Sequence, residues 1–406
     1  MAISLERARE LVRSAAGPPL PAETVPIAEA AGRVLAGELR STVDYPLDTN
    51  SAMDGFAVTA GPAGRTLRVI DESRAGSPAT LGVDPSTAIR IATGGVLPAG
   101  AEAVVRLERA SPTGDGHVTL HEAVAPGWNV RRAGEDITTG QPVLPAGTRL
   151  GGPELAVAIG AGHGELACRR RPRVALLGTG DELRDPGTSL GPGQIHDSNT
   201  VVLAALARDA GASVTGRTRV ADDPAAARRA LETAFAEADI VIVTGGVSVG
   251  PHDHVKPALR DLGAEETFWG VAIRPGRPTW FGRRGDTLVF GLPGNPVSAI
   301  VAFVLLVRPL LAALEGAADP GRGGRGGRGP VRARLTDPLA SHPDRTDAVR
   351  VRLRPTAAED GGLEAEPTAP QGSHLVTSLV GADGLALVPA GQGDLAAGTP
   401  VDVERL

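Results

Sequence analysis

The chain has 406 residues, an apolar content of 42%, a formal charge of −6 and a single cysteine. This length allows about two to four domains, the charge argues against general binding to nucleic acid, and a lone Cys168 excludes an internal disulfide and a cysteine-based zinc site. The longest apolar run, 299–314, contains Arg308-Pro309 and is shorter than the roughly 20 residues of a membrane span, so we expect a cytoplasmic protein with no membrane contact.

The first elements along the chain are predicted to be helical. Residues 3–15 have the spacing of an amphipathic helix, and a second helical stretch is predicted from Ile27 to Leu35. From residue 46 onward, short apolar runs separated by Gly and Pro predict strands, at 66–70, 88–92, 103–107 and 117–120. A small helix at 151–162 should then return the chain to its N-terminal part.

Three polar turns lie in this β-rich section, at residues 50–56, 91–100 and 129–136. Each turn places a carboxylate, a hydroxyl or a guanidinium beside a glycine. Asp, Asn, Thr and Gly are the ordinary residues of turns, so loop chemistry explains any one of them. Three such turns in one segment favour a binding site only slightly.

Alternating strands and helices begin at residue 173. Strands are predicted at 174–177, 213–220, 239–244 and 287–290, with a hairpin at 268–273 and 278–282, and helices at 198–210, 224–238, 254–262 and 297–314. The alternation predicts a three-layer α/β domain with a parallel-type sheet.

Three strands of this domain end in glycine-rich turns, at residues 178–182, 245–250 and 291–296. Because the carboxyl ends of parallel strands lie along one edge of a sheet, these turns should share one crevice. Backbone amides freed by the glycines, together with Ser248 and Asn295, suit a phosphate group.

Charged residues near these turns extend the prediction. Arg274 and Arg277 supply fixed positive charges that suit a phosphate, and Asp181, Glu182 and Asp253 supply oxygen ligands for a hard cation such as Mg²⁺. A nucleotide or phosphate ester bridged by magnesium would satisfy both sets. The alternative is a group of solvated carboxylates in flexible turns.

The C-terminal part begins with a Gly/Arg-rich stretch, 318–330, which predicts a linker, although Arg-Gly-Gly repeats can also contact RNA. Residues 331–406 return to a β pattern and predict a small barrel or sandwich, with strands at 349–353, 385–388 and 401–403.

The sequence offers no nucleophile for covalent catalysis. It has no P-loop lysine motif, no G-x-S-x-G turn and no clear Ser/His/Asp order. His252 and His254 lack a third zinc ligand nearby and are expected to be solvated. We therefore expect catalysis by positioning and charge neutralisation.

Taken in order, the motifs resemble the molybdopterin molybdenumtransferase family, MoeA, which includes the gephyrin E domain. The resemblance runs from the N-terminal helix to about Gly391, and its many collinear motifs make it highly specific. The motifs are Asn50-Ser-Ala-Met-Asp-Gly55, Thr93-Gly-Gly-Val-Leu-Pro-Ala-Gly-Ala-Glu-Ala-Val-Val105, Arg131-Arg-Ala-Gly-Glu-Asp136, Gly178-Thr-Gly-Asp-Glu-Leu183, Gly191-Pro-Gly-Gln-Ile-His-Asp-Ser-Asn199, Gly245-Gly-Val-Ser-Val-Gly250, Gly291-Leu-Pro-Gly-Asn-Pro-Val-Ser298 and Ala382-Asp-Gly-Leu385.

This resemblance implies a multidomain α/β plus β fold. The expected parts are an elongated dimerisation domain (1–45 plus 140–170), a β-rich domain (46–139), a central α/β molybdopterin-binding domain (171–317), the linker (318–330) and a small C-terminal β-barrel (331–406).

The resemblance also implies a role in molybdenum cofactor biosynthesis. The expected reaction is the insertion of molybdate into adenylylated molybdopterin, with Mg²⁺ present and AMP released. A homodimer is implied, with the N-terminal β domain of one subunit facing the α/β domain of the other, and the adenylyltransferase of the preceding step is a candidate partner. Two alternatives remain open: a non-catalytic scaffold that binds molybdopterin, and the adenylyltransferase activity itself.

Site residues follow from the same resemblance, position by position. The expected catalytic residues are Asp54, Thr93, Asp136, Glu182, Asp222 and Asp253, of which Glu182 and Asp253 are the expected metal ligands. The expected cofactor-binding residues are Gly178, Gly180, Asp181, Gly245, Gly246, Ser248, Gly250, Arg274, Arg277, Pro293, Asn295, Pro296, Arg350 and Ser373.

The chain departs from the family pattern at several of these positions. The family usually has Lys-Pro-Gly-Lys where this chain has Arg274-Pro-Gly-Arg277, and a planar guanidinium presents its donors differently from an ammonium. Pro251 and Val96 also depart from the usual residues. The choice between molybdenum and tungsten stays open.

Overall fold

The structure is a computed structural model that describes residues 2–246, 254–318, 329–356 and 361–406. Its α-helices are α1 Leu5–Ala15, α2 Gly152–Gly160, α3 Asn199–Asp209, α4 Pro224–Glu237, α5 Val255–Asp261, α6 Pro296–Ala302 and α7 Arg308–Leu314. Several of them begin at the residues that favour a helix start. Ser4 and Asp223, for example, cap α1 and α4 by accepting a hydrogen bond from a backbone N–H of the first turn.

The N-terminal part is built from short strands. They are β1 Ala22–Pro26, β2 Leu39–Arg40, β3 Asn50–Ser51, β4 Gly55–Val58, β5 Thr66–Ser73, β6 Thr87–Ile91, β7 Ala103–Arg106, β8 Ala110–Thr113, β9 His117–Leu120, β10 Val130–Arg131, β11 Pro142–Leu144 and β12 Glu165–Arg169. Strands β4 to β9 form a six-stranded sheet in the order β7-β4-β6-β5-β9-β8, and β1 pairs with β12. The four strands predicted in this section, and the small helix, are confirmed.

The helix predicted from Ile27 to Leu35 is wrong. Only Ile27–Glu29 form a short 3-10 turn. The chain then turns at Gly32, whose φ is +76°, and Val34 and Leu35 form β-bridges with Arg149 and Cys168. Long-range pairing outweighs the local helical pattern here, because an apolar run this short does not distinguish a helix from a strand.

The central part is the expected α/β fold. Its strands are β13 Arg173–Thr179, β14 Leu183–Arg184, β15 Ile195–His196, β16 Ser213–Val220, β17 Ile240–Thr244, β18 Glu265–Trp269, β19 Ile273–Arg274, β20 Trp280–Arg284 and β21 Thr287–Leu292. The main sheet has the order β16-β13-β17-β21-β20-β18. Strands β16, β13, β17 and β21 pair in parallel, while β20 pairs antiparallel with β21 and β18, so the sheet is parallel at its centre and mixed at one edge.

The central strand of this sheet explains the arrangement. All five residues of β17, Ile-Val-Ile-Val-Thr, are buried, as expected of a β-branched run covered by helices on both faces. One core cluster packs α3, α6 and α7 on one face, and another packs α4 and α5 on the other. This gives the three layers and places the carboxyl ends of the parallel strands at one edge.

The helical segment that follows β21 runs through the middle of the larger core. Between α6 and α7 it passes through a π-helical turn, Phe303–Val307, just before Pro309. A proline frees the carbonyl four residues earlier, and here the carbonyl of Leu305 accepts a hydrogen bond from Arg9 Nε on α1 (3.2 Å). Among the described helices, Pro296–Leu314 is the one long and apolar enough to cross a membrane (hydropathy 2.4), but 83% of its apolar window is buried inside the protein.

The C-terminal part is a closed barrel. Its strands are β22 Val331–Leu335, β23 Thr346–Pro355, β24 Leu363–Pro367, β25 Gly384–Val388 and β26 Pro400–Arg405. They follow the order β23-β24-β22-β26-β25, and β25 pairs back to β23 to close the ring. Strand β19 of the α/β part adds to β23, with Arg274 opposite Asp347. The fold class is therefore confirmed, with a barrel where a sandwich was also possible.

Candidate active site

The three glycine-rich turns of the α/β part meet at the carboxyl edge of the sheet, as predicted. The link is Asn199, the first residue of α3, whose Nδ2 donates to Thr244 Oγ1 and to the carbonyl of Gly294, both at 2.7 Å. Thr244 in turn donates to the carbonyl of Pro293 (3.3 Å). Of the middle turn, only Gly245 and Gly246 lie within the described residues; Ser248, Gly250 and Asp253 lie outside them.

Gly245 and Gly246 are required by the geometry of the turn. Their φ angles are +83° and +61°, a region that side chains disfavour. A Cβ on either residue would also lie 2.8 Å from Thr179 Oγ1, and the one on Gly246 would lie equally close to Val255. The backbone thus passes too close to β13 for any other residue, and this keeps the amides of the turn at the crevice.

The third turn leads directly into the long helical segment. Asn295 is the N-cap of α6 and Pro296 its first residue, a position where proline is favoured. The side chain of Asn295 is exposed and makes no capping hydrogen bond. Its amide and the free N–H groups of the first helical turn are therefore open to an anion at the crevice.

The carboxylates at this edge are held by the backbone. Asp181 Oδ1 accepts a hydrogen bond from the N–H of Asp222 (3.1 Å), and Asp222 Oδ2 accepts one from the N–H of Asp181 (3.3 Å). The turn after β13 and the turn after β16 are joined in this way. The second oxygen of each carboxylate accepts no hydrogen bond from the residues that the structure describes.

Glu182 lies in the same turn and is exposed. Its carboxylate folds back over Gly180, where a Cβ would lie only 2.3 Å from Glu182 Oε2. In the parts of the chain that the structure describes, no three His, Cys, Asp or Glu side chains are grouped closely enough to hold a metal ion. Gly178, buried at the end of β13, completes the turn.

The N-terminal polar residues lie in a different part of the subunit. Asp54 Oδ1 accepts hydrogen bonds from both the N–H and the hydroxyl of Thr93, at 2.7 and 2.9 Å. Asp136 and Gly94 line one cleft of about 710 Å³. Among the described residues, no hydrogen bond joins Asp54, Thr93 or Asp136 to the glycine-rich turns of the sheet.

A second cleft, of about 660 Å³, lies between the α/β part and the barrel. It brings together four residues predicted from the sequence: Arg274 and Arg277 from the α/β part, and Arg350 and Ser373 from the barrel. The pairing of β19 with β23 aligns the two parts of this cleft. The resulting site is rich in guanidinium groups.

Arg350 is the most unusual residue of this cleft. Its side chain is fully buried, and neither Nε nor Nη1 has a hydrogen-bond partner among the described residues. Burial without a counter-charge lowers the pKa of Arg350. Gln371 clamps its backbone, accepting from the N–H at 3.0 Å and donating to the carbonyl at 2.9 Å. A buried guanidinium with unused donors is costly unless an anion pairs with it.

Arg274 has an internal counter-ion. Its Nε lies 3.1 Å from Oδ1 of Asp347, a carboxylate that is almost fully buried. Burial raises the pKa of Asp347, and the nearby Arg274 opposes that rise. Arg277, by contrast, is exposed and forms no ion pair within the described parts of the chain.

The sequence did not reveal three further residues of this cleft, Arg345, Asp347 and Gln371. They belong to the barrel, whose position relative to the α/β part depends on long-range pairing. The alternation of Asp347 and Val349 on β23, continued by Arg345 just before it, could have predicted a shared face, but not which element it faces.

Comparison with known proteins extends over the whole chain. Three family models match: the MoeA N-terminal region (domain I and II) at residues 3–162, a "Probable molybdopterin binding domain" at 175–313, and the MoeA C-terminal region (domain IV) at 332–406. A molybdopterin molybdenumtransferase 2 of Mycobacterium tuberculosis is 38% identical over 94% of both chains. A molybdopterin molybdenumtransferase of Haemophilus influenzae is 34% identical over 99% of this chain and 98% of its own. A molybdopterin biosynthesis MoeA protein of Pyrococcus horikoshii has a similar structure, with a TM-score of 0.81, 28% identity and full coverage of both chains.

Proposed function

The chain belongs to the MoeA family of molybdopterin molybdenumtransferases, and from this premise we propose that it inserts molybdate into adenylylated molybdopterin and releases AMP. A transferase of molybdenum cofactor biosynthesis needs one place for an oxyanion and another for a nucleotide-linked pyrophosphate. The cleft between the α/β part and the barrel and the crevice of the glycine-rich turns offer suitable chemistry for the oxyanion and for the pyrophosphate.

The observation that carries this proposal is the fully buried guanidinium of Arg350, whose Nε and Nη1 have no hydrogen-bond partner in the described parts of the chain. Molybdate is a tetrahedral dianion, and guanidinium groups bind oxyanions through charge-assisted hydrogen bonds. With Arg274, Arg277 and Ser373 in the same cleft, the donors can surround such an ion on several sides. The net positive charge left after pairing of Arg274 with Asp347 also suits a dianion.

The crevice formed by the glycine-rich turns suits the adenylylated pyrophosphate. Gly245, Gly246 and the start of α6 at Asn295 present backbone amides at the carboxyl edge of a parallel sheet, the usual place for a phosphate in such folds. We assign the adenylate end of the substrate to this crevice, with Ser248 and Gly250 of the same turn included in the assignment.

The carboxylates near the crevice fit a magnesium ion bound together with substrate. Mg²⁺ typically takes one or two protein carboxylates and completes its shell with phosphate oxygens and water, so a group of three protein ligands is unnecessary. We assign this role to Glu182 and Asp253, with Asp181 and Asp222 beside them. When bound, the ion would neutralise charge on the pyrophosphate.

Catalysis in this proposal needs no nucleophilic side chain. The arginines would hold molybdate and the glycine-rich turns would hold the pyrophosphate, so that binding to one protein brings the two reactants together. The two dithiolene thiols of the pterin displace one oxygen of molybdate, which leaves as water with their protons. A water molecule attacks the pterin-side phosphorus and loses a proton to solvent, the phosphoanhydride bond breaks, and AMP leaves with the bonding electron pair on its oxygen.

We further propose a homodimer in which the N-terminal polar residues complete the site of the partner subunit. The support for this arrangement is that Asp54, Thr93 and Asp136 belong to the N-terminal part, where Asp54 binds Thr93 and Asp136 lines an open cleft. The proposed division into the five parts given above, a cytoplasmic location and contact with the preceding adenylyltransferase follow from the same family membership.

The direct test mixes the purified protein with adenylylated molybdopterin, Mg²⁺ and either molybdate or tungstate, and measures AMP. Release of AMP that depends on the metal oxyanion supports the proposal, and the preferred oxyanion identifies the metal. Absence of release with both oxyanions would refute it.

A further inference from the structure

The cleft between the α/β part and the barrel, which contains Arg274, Arg277 and Arg350, is called the oxyanion cleft below. Arg345 also lines it, and neither family membership nor the sequence motifs identified this residue. It precedes β23 by one position and lines the cleft together with Arg274, Arg350 and Ser373. Its Nε is buried and has no hydrogen-bond partner among the residues that the structure describes. Arg345 thus resembles Arg350 in lining the cleft and in having a buried donor with no partner among the described residues.

The other side of the Arg345 guanidinium is held by an imidazole. Arg345 Nη2 lies 2.7 Å from Nε2 of His342. A guanidinium can only donate, so Nε2 must accept, and the proton of the neutral imidazole lies on Nδ1. Oδ1 of Asp344 lies 2.8 Å from Nδ1, an ion-pair distance without the geometry of a hydrogen bond. The negative charge of Asp344 beside Nδ1 favours a proton there, and so favours the tautomer that allows His342 to hold Arg345.

The contact between Arg345 Nη2 and His342 Nε2 restrains the orientation of the guanidinium. An arginine side chain has many rotamers, and immobilising it costs conformational entropy. Because His342 already occupies Nη2, the remaining donors of Arg345 are restrained before a ligand arrives. Preorganised donors bind an anion more tightly than mobile ones, since less ordering occurs on binding.

We infer that Arg345 is an additional oxyanion ligand of the cleft and that His342, supported by Asp344, is the residue that positions it. This inference rests on the proposed function, because it takes the cleft to be the molybdate site. It adds a fourth guanidinium beside Arg274, Arg277 and Arg350, against the single buried carboxylate of Asp347.

The test is the affinity of the full-length protein for sodium molybdate, measured by calorimetry at constant ionic strength. Arg345→Met should weaken binding about 10-fold or more, as expected for the loss of a charge-assisted hydrogen bond. His342→Ala, which leaves the charge but frees the side chain, should weaken it by a smaller factor. His342→Gln should restore nearly normal affinity, because its amide oxygen can accept from Arg345 at the position of Nε2.

Matched controls separate positioning from folding. His117 on β9 makes a similar His–Asp contact, with its Nδ1 3.2 Å from Asp115, in the N-terminal part, so His117→Ala should leave the affinity unchanged. The melting temperature of every variant shows whether it is folded. Arg345→Lys, which keeps the charge with different donor geometry, provides a second variant if Arg345→Met unfolds.

The outcomes distinguish this inference from the proposed function. If the wild-type protein does not bind molybdate, both fail. If Arg350→Met abolishes binding while Arg345→Met and Arg345→Lys bind like the wild type, only the inference about Arg345 is overturned. If His342→Gln is as weak as His342→Ala, the positioning role of His342 is overturned.

Discussion

Asp54 accepts both hydrogen-bond donors of Thr93, the N–H at 2.7 Å and the hydroxyl at 2.9 Å, on a single carboxylate oxygen. This contact joins two polar turns of the N-terminal part and leaves Oδ2 of an exposed carboxylate without a described partner. Asp54 and Thr93, two of the residues expected to be catalytic from the family resemblance, thus form one structural unit.

The first prediction concerns the charge of Asp54. The backbone N–H of Thr93, and then its hydroxyl, lower the pKa of Asp54 below its ordinary value of 3.8. A lowered folded pKa means that the contribution of this contact to stability is complete above pH 3.8 and is lost as the pH falls through the lowered value. Thr93→Val should raise the pKa of Asp54 toward 3.8, as measured by NMR titration of the carboxyl carbon.

The second prediction separates function from folding at this contact. Asp71 makes a similar contact with Thr80, accepting from its N–H at 2.9 Å and its hydroxyl at 3.2 Å, and also accepts from the N–H groups of Glu72 (2.8 Å) and Leu81 (3.1 Å). Asp71→Asn should therefore lower the melting temperature at least as much as Asp54→Asn does. AMP release should fall about 10-fold or more in Asp54→Asn, because removing a charge that acts on the reacting groups slows the reaction. AMP release should stay unchanged in Asp71→Asn. Equal activity of the two variants would show that Asp54 is structural.

The third prediction tests the buried charge of Arg350. Arg350→Met removes a fully buried guanidinium with two unpaired nitrogens, and such replacements are often neutral or stabilising. The free energy of unfolding should therefore stay constant or rise, while molybdate-dependent AMP release falls at least about 100-fold. Arg352 on the same strand is exposed, so Arg352→Met is the control and should change neither quantity. A large loss of stability in Arg350→Met would contradict the account.

The fourth prediction concerns the junction between the N-terminal and α/β parts. Glu315, at the end of α7, is almost fully buried, and its Oε2 lies 2.6 Å from Nη2 of Arg149. Arg149→Met would leave the carboxylate without this partner and should cost about 3–5 kcal/mol in urea unfolding at pH 7. Arg228→Met breaks an exposed pair with Glu232 and should cost no more than about 0.5 kcal/mol.

The same junction should respond to pH in a defined direction. Burial raises the pKa of Glu315 above its ordinary value of 4.5, although Arg149 opposes the rise. For a raised folded pKa, the contribution to stability is complete below pH 4.5 and is lost as the pH rises through the folded value. The wild type should therefore gain less stability between pH 4.5 and neutrality than Glu315→Gln does. A steeper gain in the wild type would contradict this assignment.

The turn after β17 provides a test of the crevice. Gly245→Ala places a Cβ 2.8 Å from the carbonyl and hydroxyl oxygens of Thr179, at a φ of +83°. Gly193→Ala has the same unfavourable φ, +77°, but no atom within 4 Å, so it measures the backbone strain alone, about 1–2 kcal/mol. Gly245→Ala should cost more than this and should lower AMP release, while Gly193→Ala should keep its activity.

The sequence predicted the α/β part well because its signals are local. A buried strand such as β17 needs only a run of β-branched residues, and a turn such as that at Gly245 needs only glycines after it. The failure at Ile27–Leu35 has the opposite cause, since bridges from Val34 and Leu35 to residues more than 100 positions away decide its structure.

The oxyanion cleft was predicted only in part for the same reason. Arg274 and Arg350 are implied by the family resemblance, but their common location depends on the pairing of β19 with β23. The buried Asp347 and the contact between His342 and Arg345 have no motif of their own. Such residues become visible only when the barrel is placed against the α/β part.

The proposed two-subunit site can be tested by complementation between two inactive variants. Asp54→Ala and Arg350→Met are each expected to be inactive, but a heterodimer of the two contains one intact site if Asp54 and Arg350 act across the interface. Random mixing of the two chains should then restore about a quarter of wild-type activity. No recovery in verified heterodimers would place both residues in the site of one subunit.

The central claim is that molybdate insertion and AMP release are one reaction of this protein. The most direct measurement is the amount of AMP and of pterin-bound molybdenum formed by the purified protein from adenylylated molybdopterin, Mg²⁺ and molybdate. We predict equal amounts of the two products, and no AMP without an oxyanion. AMP released at the same rate without molybdate, or molybdenum bound without AMP release, would contradict the account.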